Sequence, residues 1–178
     1  MKTIKQLSFA LVVALVTTLS SCSSDSSSGS SSGPSTGTFI KAKVAGADFL
    51  GQGDLASGGY SSGNLVLQAT TTAGKSINIQ LYATDGSLET GTYNVSATST
   101  DDSHVGSLSL IEVNTGTMTS MTYDSAICSN ASGTIVITFI DATKIEGTFT
   151  FTGKELRDGD DCSGGTKNVT NGSFRLVL

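Results

Sequence analysis

The segment Gly133 to Gly153, GTIVITFIDATKIEGTFTFTG, reads as two extended runs joined at Asp141-Ala142-Thr143-Lys144. In the second run Ile145, Gly147, Phe149 and Phe151 fall on one parity and Glu146, Thr148, Thr150 and Thr152 on the other. A strand turns successive side chains to opposite faces, whereas a helix brings together residues three and four apart. The segment is therefore a hairpin with one buried and one wet face, the pattern of an antiparallel sheet.

The same period of two recurs along the chain. Ile40, Ala42 and Val44 alternate with Lys41 and Lys43, and Ala45-Gly46-Ala47-Asp48 turns the backbone. Leu65, Leu67 and Ala69 share a face. Beyond Thr72-Ala73-Gly74-Lys75, Ile77, Ile79 and Leu81 lie opposite Asn78, Gln80 and Tyr82, a clear hairpin signal. Asp85-Gly86 marks a turn before the short strand GTYNV. Val105 to Val113 is a weaker strand whose inward parity the residues leave open, and Asn114-Thr115-Gly116 turns it back towards Tyr123. A last strand, Ser173 to Leu178, would bury Phe174, Leu176 and Leu178 and leave Arg175 in solvent. No stretch sustains a period of 3.6. About nine strands with short turns and no helix predict an antiparallel β-sandwich, with a closed up-and-down β-barrel as the alternative.

Residues 1–21 have the three parts of an export signal: Lys2 and Lys5, the apolar core Leu7 to Leu19, then small residues. The core is 13 residues long, short of the roughly 20 needed to span a bilayer. Leu19-Ser20-Ser21-Cys22 resembles a bacterial lipobox, which implies cleavage before Cys22 and acylation of its thiol and new amino group. Two or more acyl chains hold a protein firmly to a membrane, at about 0.8 kcal/mol per buried CH₂. Residues 22–38 then read as the lipidated cysteine and a flexible tether. Nine Ser, three Gly, two Thr, Asp25 and the chain's single proline, Pro34, follow Cys22. Such a segment has nothing to bury. Ser23 directly after Cys22, where an acidic residue would signal inner-membrane retention, favours the outer membrane and leaves the leaflet open.

Residues 39–178 suit a single domain with a sizeable core. Loss of Lys2 and Lys5 with the signal takes the net charge from −5 to −7. A domain this acidic, with scattered lysines, repels phosphate, which argues against nucleic acid and direct headgroup binding. The membrane partner is then reached through lipid alone. Of three cysteines one is taken by lipid, so Cys128 and Cys162 read as a disulfide in an oxidising compartment. Folding the Gly133–Gly153 hairpin brings Cys128 to the same end as Cys162.

Taken in order, KAKVAGADF, GTYNV, GTIVITFIDATKIEGTFTFTG and NVTNGSF behind a lipobox and Ser/Gly tether resemble domain of unknown function family 6252, small lipoproteins of Bacteroidota-type bacteria. Ala45 stands where the family usually has Asp, and GKELRDGDDCSGGTK, which carries Cys162, is an insert. The resemblance implies an exported, lipid-anchored β-domain and brings no activity, cofactor or catalytic residue.

Motifs that could carry chemistry are few. The G-x-S-x-G matches at Gly29–Gly33 and Gly59–Gly63 lack the strand-to-helix context of a nucleophile elbow. Gly74-Lys75-Ser76 lacks the earlier glycine of a phosphate loop. His104 is the only histidine, and Asp102 and Ser103 beside it would point to alternate faces of a strand. Asp158, Asp160 and Asp161, near Glu155, offer a weak set of calcium ligands, with a hydrated acidic loop as the default. Asp124-Ser125-Ala126 matches an O-glycosylation acceptor pattern that would modify Ser125, or is a plain turn. The Asn-x-Ser/Thr triplets at Asn94, Asn130, Asn168 and Asn171 mean little in a bacterial lipoprotein. Tyr60, Tyr82, Tyr93 and Tyr123 are the only polar aromatics and tryptophan is absent, which weakens carbohydrate capture. Tyr82, facing away from the core, is the candidate ring, with a cross-strand brace as the default.

The expected function is a non-catalytic, lipid-anchored envelope domain with a binding or accessory role and an envelope protein or glycan as partner. A glycan- or peptide-acting hydrolase using Glu155 and Asp158 is one alternative, and a carrier of small apolar ligands with an empty lumen is the other.

Overall fold

The computed structural model describes residues 36–157, 159 and 162–178. The export signal, Cys22, the tether up to residue 35 and the calcium candidates Asp158, Asp160 and Asp161 lie outside the described residues.

Among the described residues eleven antiparallel strands and one 3-10 turn, Gly53–Leu55, make up the fold. They are β1 (Phe39–Val44), β2 (Ala47–Gln52), β3 (Ala56–Ser61), β4 (Asn64–Thr70), β5 (Lys75–Ala83), β6 (Gly91–Val95), β7 (His104–Asn114), β8 (Thr119–Asp124), β9 (Ser132–Ile140), β10 (Lys144–Glu155) and β11 (Thr166–Val177). The all-β antiparallel expectation holds. Pairing runs β2-β1-β11-β10-β8-β7-β5-β4-β3, and β9 carries β6 as a side branch. This one sheet curls until β2 lies against β4, with Gly51 packed on the Ala69–Thr70 backbone, so it is nearly closed into a barrel.

The strand β10 is where the sheet divides. Along one edge it pairs with β11 from Lys144 to Lys154. Along the other it pairs with β9 from Ile145 to Thr152 and then with β8 at Lys154 and Glu155. The chain between β8 and β9, residues 125–131, steps out at this fork.

The buried parities agree with the sequence pattern. Ile40, Leu65, Leu67, Ile77, Ile79, Ile135, Ile145, Phe149, Phe174 and Leu176 pack in one cluster. The open parity of the seventh strand resolves to Leu108 and Leu110, each at 0 % exposure. These side chains pack on one another in the interior, where an apolar lumen would have to lie.

Three details depart from expectation. The strands β2 and β3 show no period of their own, because ADFLGQ and ASGGYS carry too few apolar residues. The final strand starts at Thr166, not Ser173, because Asn171-Gly172 forms a bulge with Asn171 at φ 52°, not a turn. Leu178 lies beyond the end of β11 and is exposed. Arg175 points outward as its parity requires, yet it lies across the Phe39 ring and pairs with Glu146.

Candidate functional site

The residues singled out for chemistry are mostly employed in holding the fold. Cys128 and Cys162 form a disulfide with their Cα atoms 5.9 Å apart, tying residues 125–131 to the segment after β10. Ser125 is fully buried, and its Oγ accepts a hydrogen bond from the Leu108 amide at 2.9 Å. Of the two readings of Ser125, the turn residue is the one this geometry uses; a glycan would need that oxygen while the β8 exit is open, since in the folded domain it is buried. Asp124 beside it accepts from the Ala126 amide at 2.6 Å and from the Ser107 hydroxyl at 2.8 Å. Together the pair fixes how the chain leaves β8. The Gly59–Gly63 motif is the end of β3 and a two-residue turn in which Ser62 and Gly63 both take positive φ.

Glu155, named for the hydrolase alternative, is bound by Arg157 at 3.1 Å and by the Gly165 amide at 2.7 Å. Arg157 and then that amide hold its carboxyl below the usual range. Lys75 of the phosphate-loop-like triplet joins Glu112 and Lys167 at one end of the sheet. Each of the three stands two residues beyond a core residue, Ile77, Leu110 or Val169, so they cap the interior. Burial pulls the Glu112 carboxyl up, but hydrogen bonds from Lys75 and Lys167 outweigh it and leave it below the ordinary value.

His104 opens β7 at the fork. Its Nδ1 lies 3.4 Å from Asp101 Oδ2, and the edge of Tyr93 meets it with ring centroids 4.8 Å apart. The partner carboxylate is Asp101, not Asp102, because the turn Asp101–Ser103 folds back on itself through the Ser103 amide. That amide first, and His104 after it, hold the Asp101 carboxyl low. Tyr93 exchanges hydrogen bonds with the Glu89 backbone, and the Tyr60 hydroxyl accepts from the Leu88 amide. Both tyrosines pin the loop that precedes β6. Among the described residues no group of three or more His, Cys, Asp or Glu is placed to hold a metal ion.

Grooves on the described surface include one of about 490 Å³ over Ser132, Thr134, Thr150, Thr152, Asn168 and Thr170, and a set around the start of β7. A groove of about 300 Å³ runs over Asn64, Gln80, Tyr82, Val105 and Ser107 to Ala126. A second, of about 190 Å³, shares Val105, Gly106 and Ala126 and continues past Asn94, Ser96 and Asp101 to His104. A third begins at His104 and passes Tyr93 to Glu89 and Asp85. The first two share Val105, Gly106 and Ala126 and the last two share His104, so the three are neighbours in a furrowed surface at the start of β7. Nothing in the sequence announces it, because its walls come from β4, β5, β7, the β8 exit and the loop before β7.

Fold and furrow define a small antiparallel β-domain with a packed interior and a groove on its outer face. The chain belongs to DUF6252, a domain of unknown function, whose family profile matches residues 38–177. No curated protein and no solved structure matches it.

Proposed function

We propose that the chain is a lipid-anchored lipoprotein of the cell envelope, facing its surroundings from the outer membrane with a non-catalytic binding domain. In this reading residues 1–21 are removed, Cys22 carries the lipid, residues 22–38 are the tether and residues 39–178 the working domain. The observation that carries it is the Leu19-Ser20-Ser21-Cys22 junction at the end of an apolar core of 13 residues, followed at once by a serine-rich tract. A non-catalytic role is supported by the use made of the reactive groups. Cys128 and Cys162 are joined to each other, Ser125 and Asp124 fix a chain exit, and Glu112 and Glu155 are tied to cations or amides. Binding is supported by the furrow.

Growth with labelled palmitate tests the reading. The label is expected in the wild-type chain and absent from Cys22→Ser, with the mature amino terminus at residue 22. A wild-type chain without label, or one cut at another bond, would overturn it. Cross-linked co-purification from native outer membranes then identifies the partner.

A further inference from the structure

We infer that the outer face of β4, β5 and β7 beside Ala126 binds a neutral glycan, with a sugar ring seated on Tyr82. The inference rests on the reading of this domain as a binding module.

Register places Asn64, Tyr82 and Val105 abreast on three neighbouring strands, and two residues along it places Val66, Gln80 and Ser107 abreast. Adjacent strands lie about 4.8 Å apart, so each row is about 10 Å wide. Tyr82 is 46 % exposed and Val105 62 %, although most large apolar side chains of this domain are buried. The patch therefore chequers apolar surface with an amide, a second amide and a hydroxyl. Ala126 forms one wall of the groove, and its amide is held by Asp124 while the disulfide at Cys128 holds the chain just beyond.

Two features select the ligand. The groove of about 300 Å³ is lined by no charged residue, on a domain whose sequence without its signal carries a net charge of −7. A cation would prefer the acidic surface elsewhere, and an anion is repelled from the domain as a whole. A neutral ligand is what remains. A tyrosine exposed at 46 %, with side-chain amides on its own and the neighbouring strand, then matches a molecule with an apolar flat face and hydroxyls around its rim. The ring face carries negative quadrupole density that attracts polarised C–H groups, and Asn64 and Gln80 can each donate and accept at the rim. A pyranose has that shape and polarity. A neighbouring groove of about 190 Å³ shares Val105, Gly106 and Ala126 with this one and is lined further by Asn94, Ser96, Asp101 and His104, which gives room for further sugar units of one chain.

The test uses the full-length chain extracted in a detergent without a sugar headgroup. Neutral hexasaccharides of glucose, xylose, mannose and N-acetylglucosamine are titrated by calorimetry and by tyrosine fluorescence, which no tryptophan obscures. At least one is expected to bind. Tyr82→Ala should weaken it about tenfold, and Tyr82→Phe should stay within about threefold, because the ring and not the hydroxyl makes the contact. Val105→Asp, at an exposed position, should abolish binding without lowering the unfolding temperature. Absence of binding by all four sugars, or unchanged affinity in Tyr82→Ala and Val105→Asp, overturns the inference. Either result leaves the anchored-lipoprotein reading standing, since palmitate labelling decides that separately.

Discussion

Glu112 on β7 meets Lys167 on β11 at 3.0 Å, although β8 and β10 lie between their strands in the sheet. The curl of the sheet brings the two ends together over the core, and Lys75 on β5 completes the cluster at 2.9 Å. A carboxyl held below its ordinary value of 4.5 adds stability above that pH and loses it as pH falls through the folded value. Lys167, raised above 10.5 chiefly by its hydrogen bond to Glu112, adds stability below that pH and loses it as pH rises through its own folded value. The cluster thus supports the fold between about 4.5 and 10.5. Glu112→Gln is expected to cost about 1 kcal/mol at neutral pH. It should also flatten the loss of thermal midpoint between pH 5 and pH 3, measured by circular dichroism.

Reduction of the Cys128–Cys162 bridge, or the double change to serine, is expected to cost about 3–4 kcal/mol for a closed loop of this length. The thermal midpoint should fall by on the order of 10 °C. A midpoint that reductant leaves unmoved would show that the loop after β8 is held by Asp124 and Ser125 alone.

Ser125→Ala removes the acceptor of a buried Leu108 amide and should cost about 1–3 kcal/mol. Peptide mass spectrometry of the native chain is expected to find Ser125 unmodified. A glycan mass on that peptide would mean the β8 exit opens before or after folding.

Gly147 lets β9 and a phenylalanine ring close on β10. A methyl group there would stand 2.2 Å from the Val136 carbonyl oxygen and 2.6 Å from the Phe174 ring. Gly147→Ala is therefore expected to destabilise by about 1–3 kcal/mol through overpacking, read from urea unfolding. Stability equal to wild type would mean that β9 shifts freely.

Much of the fold was legible one strand at a time. The hairpin around Asp141 closes with that carboxylate accepting from the Thr143 and Lys144 amides, as its turn chemistry suggested. Ile77, Ile79 and Leu81 point inward because strand parity is a local property. The strand β3 was not legible, since ASGGYS is ordered by its ladder with β4 and not by its own residues. The bulge at Asn171 reads locally like a turn, and only the continued pairing of Val169 and Lys167 with β10 makes it part of one strand.

The amino-acid order by itself determined the β period, the inward faces of most strands, the hairpin turn at Asp141 and the pairing of Cys128 with Cys162. Each of these depends on neighbours along the chain or on a simple count. The closing of one sheet on itself, the burial of Ser125 and the furrow at Tyr82 were decided only by the tertiary structure. They depend on contacts between strands far apart in sequence, such as β7 with β11, and no local pattern encodes how a twisted sheet brings those together.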